Sequence, residues 1–297
     1  MVADKAEEGS RIGHTWTFRQ RSQRPSGREY RDHGSVRHAL ALDGAVVLVT
    51  GGVRGVGAGI TRAFLRAGAV VVTCARHEPE RLVEVDGMTA SFLPCDVREP
   101  EQVSRLIGDI VCEHGGIDVL VNNVGGAPFA AAATASPRFH DKIVGLNLLA
   151  PLLVAQHAND VMQRLSAGGA IVNVSSVSGT RPSPGTAAYG AAKAGLDNLT
   201  ASLAVEWAPK VRVNALDVGM VRTEQAEMHY GDAAGLAAVG ATVPLGRLAE
   251  PEEVGACAVF LASPLASYVS GATLAVHGGG ERPAFLAAAN QSREKEQ

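Results

Sequence analysis

The sequence predicts an α/β protein: one doubly wound sheet of about seven parallel strands, with helices on both faces. Three observations carry this. The 297 residues are 46% apolar but only 4% aromatic, and Ala, Val, Gly and Leu dominate, as expected of Val-rich buried strands covered by Ala/Leu helices. Short apolar runs alternate with helical patterns, and strands joined by helical crossovers lie parallel. The first apolar run ends in a glycine cluster that opens a helix.

The elements follow in order. AVVLVTGG (45–52) is a strand and GITRAFLRAG (59–68) a helix. AVVVTCAR (69–76) and SFLPCDV (91–97) are strands, EQVSRLIGDIVCEHG (101–115) a helix and IDVLVNNVGG (117–126) a strand. HDKIVGLNLLAPLLVAQHANDVMQRLSA (140–167) reads as one long helix, GAIVNVSS (169–176) as a strand and AAYGAAKAGLDNLTASLAVEWA (187–208) as a second long helix. VRVNALDVG (211–219), the helix PEEVGACAVFLAS (251–263) and the strand GATLAVHGG (271–279) complete the domain, which spans residues 40–280.

Residues 1–39 are rich in Arg, His, Ser and Gly without apolar periodicity. They are expected to be disordered, because they bury too little to offset ordering entropy. They contain no apolar core of a secretory signal, and Asp4, Glu7, Glu8, Glu29 and Asp32 argue against a transit peptide. The tail 281–297 ends in NQSREKEQ and is expected to fray. A net charge of -3 gives no field for nucleic acid. No apolar run reaches the roughly 18–20 residues of a membrane span. Cys74, Cys95, Cys112 and Cys257 are scattered without a CxxC pair. Neither a metal site nor a disulfide is expected; buried thiols in a reducing cytoplasm are.

The first strand ends in TGGVRGVGAG, residues 50–59. Gly51, Gly55 and Gly57 are spaced G-x3-G-x-G, with Val53, Arg54 and Val56 between them. This is neither G-x-G-x-x-G, since Ile60 takes the place of the last glycine, nor a P-loop, since no lysine follows. The physics is still that of a phosphate turn: glycines let a pyrophosphate approach the backbone, and the amides opening the helix face the anion. Close packing alone is the bland reading. An acid near the end of the second strand would mark NAD, but that end reads Cys74-Ala75-Arg76. Arg76, with Arg54 in the turn, suits a 2'-phosphate, so NADP is favoured and NAD is the second choice.

TAAYGAAKAG (186–195) places Tyr189 and Lys193 one helical turn apart in a run of small residues. Together with TGGVRGVG, CDV, NNVG and NVSS, in this order, the sequence resembles the short-chain dehydrogenase/reductase family, its 3-oxoacyl-acyl-carrier-protein reductase-like members in particular. The match runs from about Leu42 to Gly279. The resemblance implies a Rossmann-type catalytic domain and an NADP(H)-dependent oxidoreductase interconverting a carbonyl and a secondary alcohol. It assigns Tyr189 as general acid/base, Lys193 as the cation that lowers the tyrosine pKa and binds ribose, Ser176 as the group orienting the substrate oxygen, and Asn147 to a proton relay. Asp96 and Val97 would meet adenine; Asn123 and Gly125 would line the cofactor cleft. Val221 and Thr223 would meet the nicotinamide carboxamide and pyrophosphate. Helices 140–167 and 187–208 would pair with a second subunit, giving a homodimer or homotetramer. The sequence departs from the family pattern at Val218, where proline is usual, at His277, where aspartate is common, and in its N-terminal extension.

A phenol with a pKa near 10 is a poor base near neutral pH. A neighbouring ammonium and an oxidised nicotinamide would both favour the phenolate. A serine hydrolase is a weaker reading, for there is no G-x-S-x-G elbow. A non-catalytic dinucleotide sensor is another, although such a protein would be expected to lose Tyr189 or Lys193. The segment 219–247 is expected to be the variable loop over the substrate, with Met220, Met228, His229, Tyr230 and Leu236 as candidate lining.

Overall fold

A computed structural model describes residue 40, residues 42–226 and residues 230–288. The N-terminal extension, Met228, His229 and the NQSREKEQ terminus lie outside the described residues. The elements in chain order are β1 (Val46–Thr50), α1 (Gly55–Arg66), β2 (Val70–Ala75), β3 (Glu84–Val85), β4 (Met88–Thr89), β5 (Ser91–Pro94), α2 (Pro100–His114), β6 (Val119–Asn122), α3 (Pro137–Val144), α4 (Ala150–Met162), β7 (Gly169–Val174), α5 (Ala187–Glu206), β8 (Val211–Val218), α6 (Ala233–Thr242), α7 (Pro251–Ala262), β9 (Thr273–Val276) and α8 (Ala284–Ala288).

Seven strands form one sheet in the order β5-β2-β1-β6-β7-β8-β9, and every neighbouring pair is parallel. The order runs outward from β1 in one direction and from β6 in the other, so the chain reverses between them. In such sheets ligands bind outside the strand ends at that reversal. Alternate residues of β1 feed opposite cores: Val46 and Leu48 pack with Ile107, Ile110 and Met162 on one face, Val47 and Val49 with Ile60, Phe64 and Val254 on the other. This is the two-sided burial expected of a parallel sheet. The hairpin β3–β4 is antiparallel and separate, and its two-residue strands left no periodic signal in the sequence.

The long helix expected over 140–167 is corrected. It starts earlier, at Pro137, where Ser136 caps it by accepting the Phe139 amide at 3.2 Å. It is then interrupted by a π turn, Gly145–Leu149, before α4. Pro151 is the physical cause: it has no N–H for the Asn147 carbonyl, so the ladder shifts and the Ala150 amide donates to Gly145 instead. The first helix begins at Gly55 rather than residue 59, so the glycine turn itself opens it. The segment 219–247 is not all loop: Asp232 accepts the Ala234 and Gly235 amides and caps α6.

A buried polar chain fixes α5 against the sheet. The Asn122 amide donates to the Pro151 carbonyl (3.1 Å) and to Asn173 Oδ1 (3.0 Å). Asn173 in turn donates to Thr200 on α5 (2.9 Å). None of these three residues is among the buried polar groups left without a partner, so the chain of bonds constrains the helix at little cost.

Candidate active site

The ends of β1 and β6 are joined by side chains. Thr50 Oγ1 accepts the amides of Asn123 (3.0 Å) and Val124 (3.2 Å). Asn123 Nδ2 donates to the carbonyls of Thr50 (3.0 Å) and Gly51 (3.2 Å). Gly51 adopts φ +65° and Gly55 φ +52°, where side chains are strained. Gly57 has an ordinary backbone but no room: a Cβ there would stand 2.1 Å from the Gly51 carbonyl oxygen. The turn is thus folded against itself, and Asn123 is the strut that holds it.

This turn forms one end of a cleft of about 850 Å³. Gly51, Val53, Arg54, Gly55, Val56, Gly57, Arg76, Asp96, Val97, Asn123, Gly125, Ser176, Tyr189, Lys193, Val221 and Thr223 all line it. Every catalytic and cofactor residue expected above except Asn147 therefore faces one space, whereas Met220 and Leu236, expected to line the substrate pocket, do not. His77, Arg98, Glu224 and Tyr230 also reach it or its rim, and sequence reading of the cofactor site missed the first three. The Gly55 amide, at the helix opening, is taken by the Glu224 carboxylate at 3.0 Å. An anion already sits where a helix N-terminus favours one. The glycine cradle, the exposed Arg54 and Arg76 at its rim and the size of the cleft fit a dinucleotide.

Asp96, expected at the adenine, is held by Arg98: Nε donates at 2.9 Å, an η nitrogen at 2.5 Å and the Arg98 amide at 3.1 Å. The guanidinium keeps the carboxyl below its ordinary range. Neither Arg54 nor Arg76 makes an ion pair among the described residues.

At the other end of the cleft, α5 presents Tyr189 and Lys193 one turn apart. Lys193 is buried; its Nζ donates to the Val174 carbonyl at 2.7 Å and lies 5.6 Å from the centre of the Tyr189 ring. Burial pulls the ammonium down to about 8. Below that pH it remains a cation beside the phenol. Burial pushes the Tyr189 phenol above its ordinary value, while the Ser176 hydroxyl, bonded to it, pulls it back. Burial thus outweighs the serine, and in the protein alone the phenol stands above its ordinary value. Ser176 Oγ also accepts the Ser178 amide at 3.2 Å, which orients the hydroxyl. Tyr230, from the segment expected to cover the substrate, also lines the cleft.

Asn147 sits in the π turn and is fully buried. Its Oδ1 accepts the Gly126 amide (2.8 Å), and its Nδ2 donates to the carbonyls of Gly126 and Ile143 (2.9 Å each). It is not hydrogen-bonded to Lys193. Gly125 lies between the two: a Cβ there would stand 2.7 Å from Asn147 Oδ1 and 3.3 Å from Lys193 Nζ. Among the described residues no His, Cys, Asp and Glu group is arranged to hold a metal ion, and no helix is long and apolar enough to cross a membrane.

Comparison with known proteins places this geometry. Residues 51–281 match a family model described as enoyl-(acyl carrier protein) reductase. Human dehydrogenase/reductase SDR family member 4 is 34% identical over 245 residues, covering 80% of this chain and 88% of the relative. The 3β-hydroxysteroid dehydrogenase 1 of Eggerthella lenta is 35% identical over 245 residues, covering 80% and 94%. The ligand-free structure of Thermoplasma acidophilum aldohexose dehydrogenase superposes with a TM-score of 0.75 at 32% identity, covering 80% of this chain and 94% of that one. The chain belongs to the short-chain dehydrogenase/reductase family, whose members are oxidoreductases that use NAD(P)(H).

Proposed function

We propose that the protein is an NADP(H)-dependent oxidoreductase that interconverts a carbonyl and a secondary alcohol. The observation that carries this reading is a single cleft lined by a glycine cradle at one end and by Ser176, Tyr189 and Lys193 at the other. When bound, the nicotinamide donates or accepts the hydride. The chain supplies position and protons. Ser176 donates to the substrate oxygen and orients it. Tyr189 gives its phenolic proton to that oxygen in reduction and removes it in oxidation. Lys193, when charged, favours the phenolate and bonds the ribose hydroxyls. Asn147 holds the Gly126 backbone beside Lys193 and belongs to the relay that returns protons to solvent.

Gly51–Gly57 would hold the pyrophosphate of the cofactor, Asp96 and Val97 its adenine, and Val221 and Thr223 its carboxamide. Arg54 and Arg76, exposed at the rim and in no ion pair among the described residues, would take the 2'-phosphate. NAD is the alternative, and a non-catalytic dinucleotide sensor the alternative to catalysis. The relatives' names span a steroid and a sugar, so the substrate is a small carbonyl or alcohol of unspecified skeleton. Leu149, in the π turn, and Val205, on α5, are exposed apolar side chains and support a homodimer or homotetramer. The free cysteines suit a reducing cytoplasm.

The test is NADPH and NADH fluorescence titration followed by turnover on a carbonyl panel. Tyr189→Phe is expected to cut turnover by about 10²–10⁴-fold while NADPH still binds. Binding of neither nucleotide would sink the reading. Binding without turnover, unchanged in Tyr189→Phe, would favour the sensor.

A further inference from the structure

Asp96 enters the cleft already bonded on both oxygens. It stands just past β5, and β5 pairs with β2, so Asp96 and Arg76 leave neighbouring strand ends. The Cys95 amide continues that pairing by donating to the Ala75 carbonyl at 2.9 Å. The Asp96 amide donates to Gln102 Oε1 (2.9 Å), and the Asp96 carbonyl accepts the Glu99 amide (3.0 Å), so the start of α2 fixes its backbone. Its carboxylate is fixed by Arg98. Oδ1 accepts the Arg98 amide (3.1 Å) and Nε (2.9 Å), and Oδ2 accepts an η nitrogen (2.5 Å). Both residues line the cleft, with 17% of the Asp96 side chain and 37% of the Arg98 side chain exposed.

Two parallel N–H donors from one planar guanidinium define the plane of the carboxylate they hold. An unpaired aspartate would turn freely about its last bond, whose torsion is broad and roughly two-fold. A carboxylate has about four acceptor positions. Two donors lie on Oδ1 and one on Oδ2, so the remaining position is on Oδ2, in a plane that Arg98 sets.

We infer that Arg98 is a positioning residue: by fixing the Asp96 carboxylate, it makes the cleft select a purine with a 6-amino group over one with a 6-oxo group. The inference rests on the reading that puts the adenine of the cofactor against Asp96. A 6-amino group donates to the open position on Oδ2. A 6-oxo group only accepts there, and would set its lone pairs against those of the carboxylate. A site built around one hydrogen bond rejects the analogue that cannot make it. Charge is not what Arg98 adds at neutral pH. A carboxyl with an ordinary pKa near 3.9 is ionised at pH 7 with or without a partner, and Arg98 draws Asp96 lower still. What the guanidinium adds is direction.

The experiment is fluorescence titration of the full-length protein with NADPH and with reduced nicotinamide hypoxanthine dinucleotide phosphate, which carries a 6-oxo purine in place of adenine. The unaltered protein is expected to favour NADPH by about tenfold or more, the worth of a hydrogen bond to a charged group. Arg98→Ala is expected to reduce that preference to about threefold or less by weakening NADPH, with the hypoxanthine analogue held within about twofold. Arg98→Lys keeps the charge without the planar fork and is expected to resemble Arg98→Ala. Asp96→Asn is expected to lose the preference by itself, and adding Arg98→Ala to it should change the ratio no further. Equal weakening of both nucleotides in Arg98→Ala would make the arginine a support of the loop and overturn the inference. Full preference in Arg98→Ala or in Arg98→Lys would overturn it as well. An unaltered protein without preference, or an Asp96→Asn variant that keeps it, would instead remove the adenine from Asp96 and overturn the reading beneath.

Discussion

The Nζ of Lys193 lies 5.6 Å from the centre of the Tyr189 ring and is anchored by the Val174 carbonyl, 2.7 Å away. The lysine is thus held by the sheet rather than by the phenol. It meets the tyrosine as a nearby cation whose charge depends on pH.

That burial has a measurable cost. With its pKa lowered to about 8 in the folded protein and near 10.4 when unfolded, Lys193 costs up to about 3 kcal/mol wherever it must be charged in both states. The cost is complete below pH 8 and fades as pH rises toward 10.4. Lys193→Met removes it but leaves the Val174 carbonyl unpaired, which returns part of the gain. The variant is expected to be inactive yet more stable at pH 7 by about 1–2 kcal/mol. Above about pH 10.4 that gain is gone while the Val174 carbonyl stays unpaired, so the variant is then expected to be the less stable by about 1–2 kcal/mol. Thermal melts across pH check this, and a lower melting temperature at pH 7 would contradict it.

Arg76 is exposed at the rim and makes no ion pair among the described residues, whereas Arg98 is committed to Asp96. Arg76→Ala is expected to weaken NADPH binding by about 10–100-fold, the worth of a charged hydrogen bond, and NADH binding by less than about twofold. Equal losses for both nucleotides would remove Arg76 from the 2'-phosphate site.

Gly57 leaves no space for a side chain. Its Cβ would collide with the Gly51 carbonyl at 2.1 Å and with Asn123 Nδ2 at 2.6 Å, the strut of the turn. Gly57→Ala is expected to cost about 1–3 kcal/mol in urea unfolding and to weaken NADPH and NADH alike. Unchanged binding would show that the turn does not form the cofactor floor.

Glu224 competes with any phosphate for the Gly55 amide. Glu224→Gln removes the charge at similar size and is expected to tighten NADPH binding about threefold to tenfold, read by fluorescence titration. Weaker binding would mean that the carboxylate holds the loop in place rather than blocking it.

Much of this was legible in the sequence because its signals are local. Short apolar runs marked all seven strands of the main sheet, and the glycine spacing and the Tyr189–Lys193 interval marked both ends of the cleft. Other features had local signals that the long apolar pattern masked. Ser136-Pro137 announces a helix start, Pro151 announces the broken ladder after Asn147, and Asp232 announces α6. What no local pattern carries is burial. The titrating state of Lys193 and the bonding of Asn147 to Gly126 arise only when distant segments pack.

Helix α1 is clamped by α7. A Cβ on Gly59 would stand 2.4 Å from Pro251, and one on Gly255 would stand 2.7 Å from the Gly59 carbonyl. The phosphate turn is synthesised early, but the helix that braces it emerges from the ribosome nearly 200 residues later. A nascent chain that stops before Pro251 has all the glycines and none of that support. The earliest motif in the sequence thus gains one of its braces only when α7 has been made.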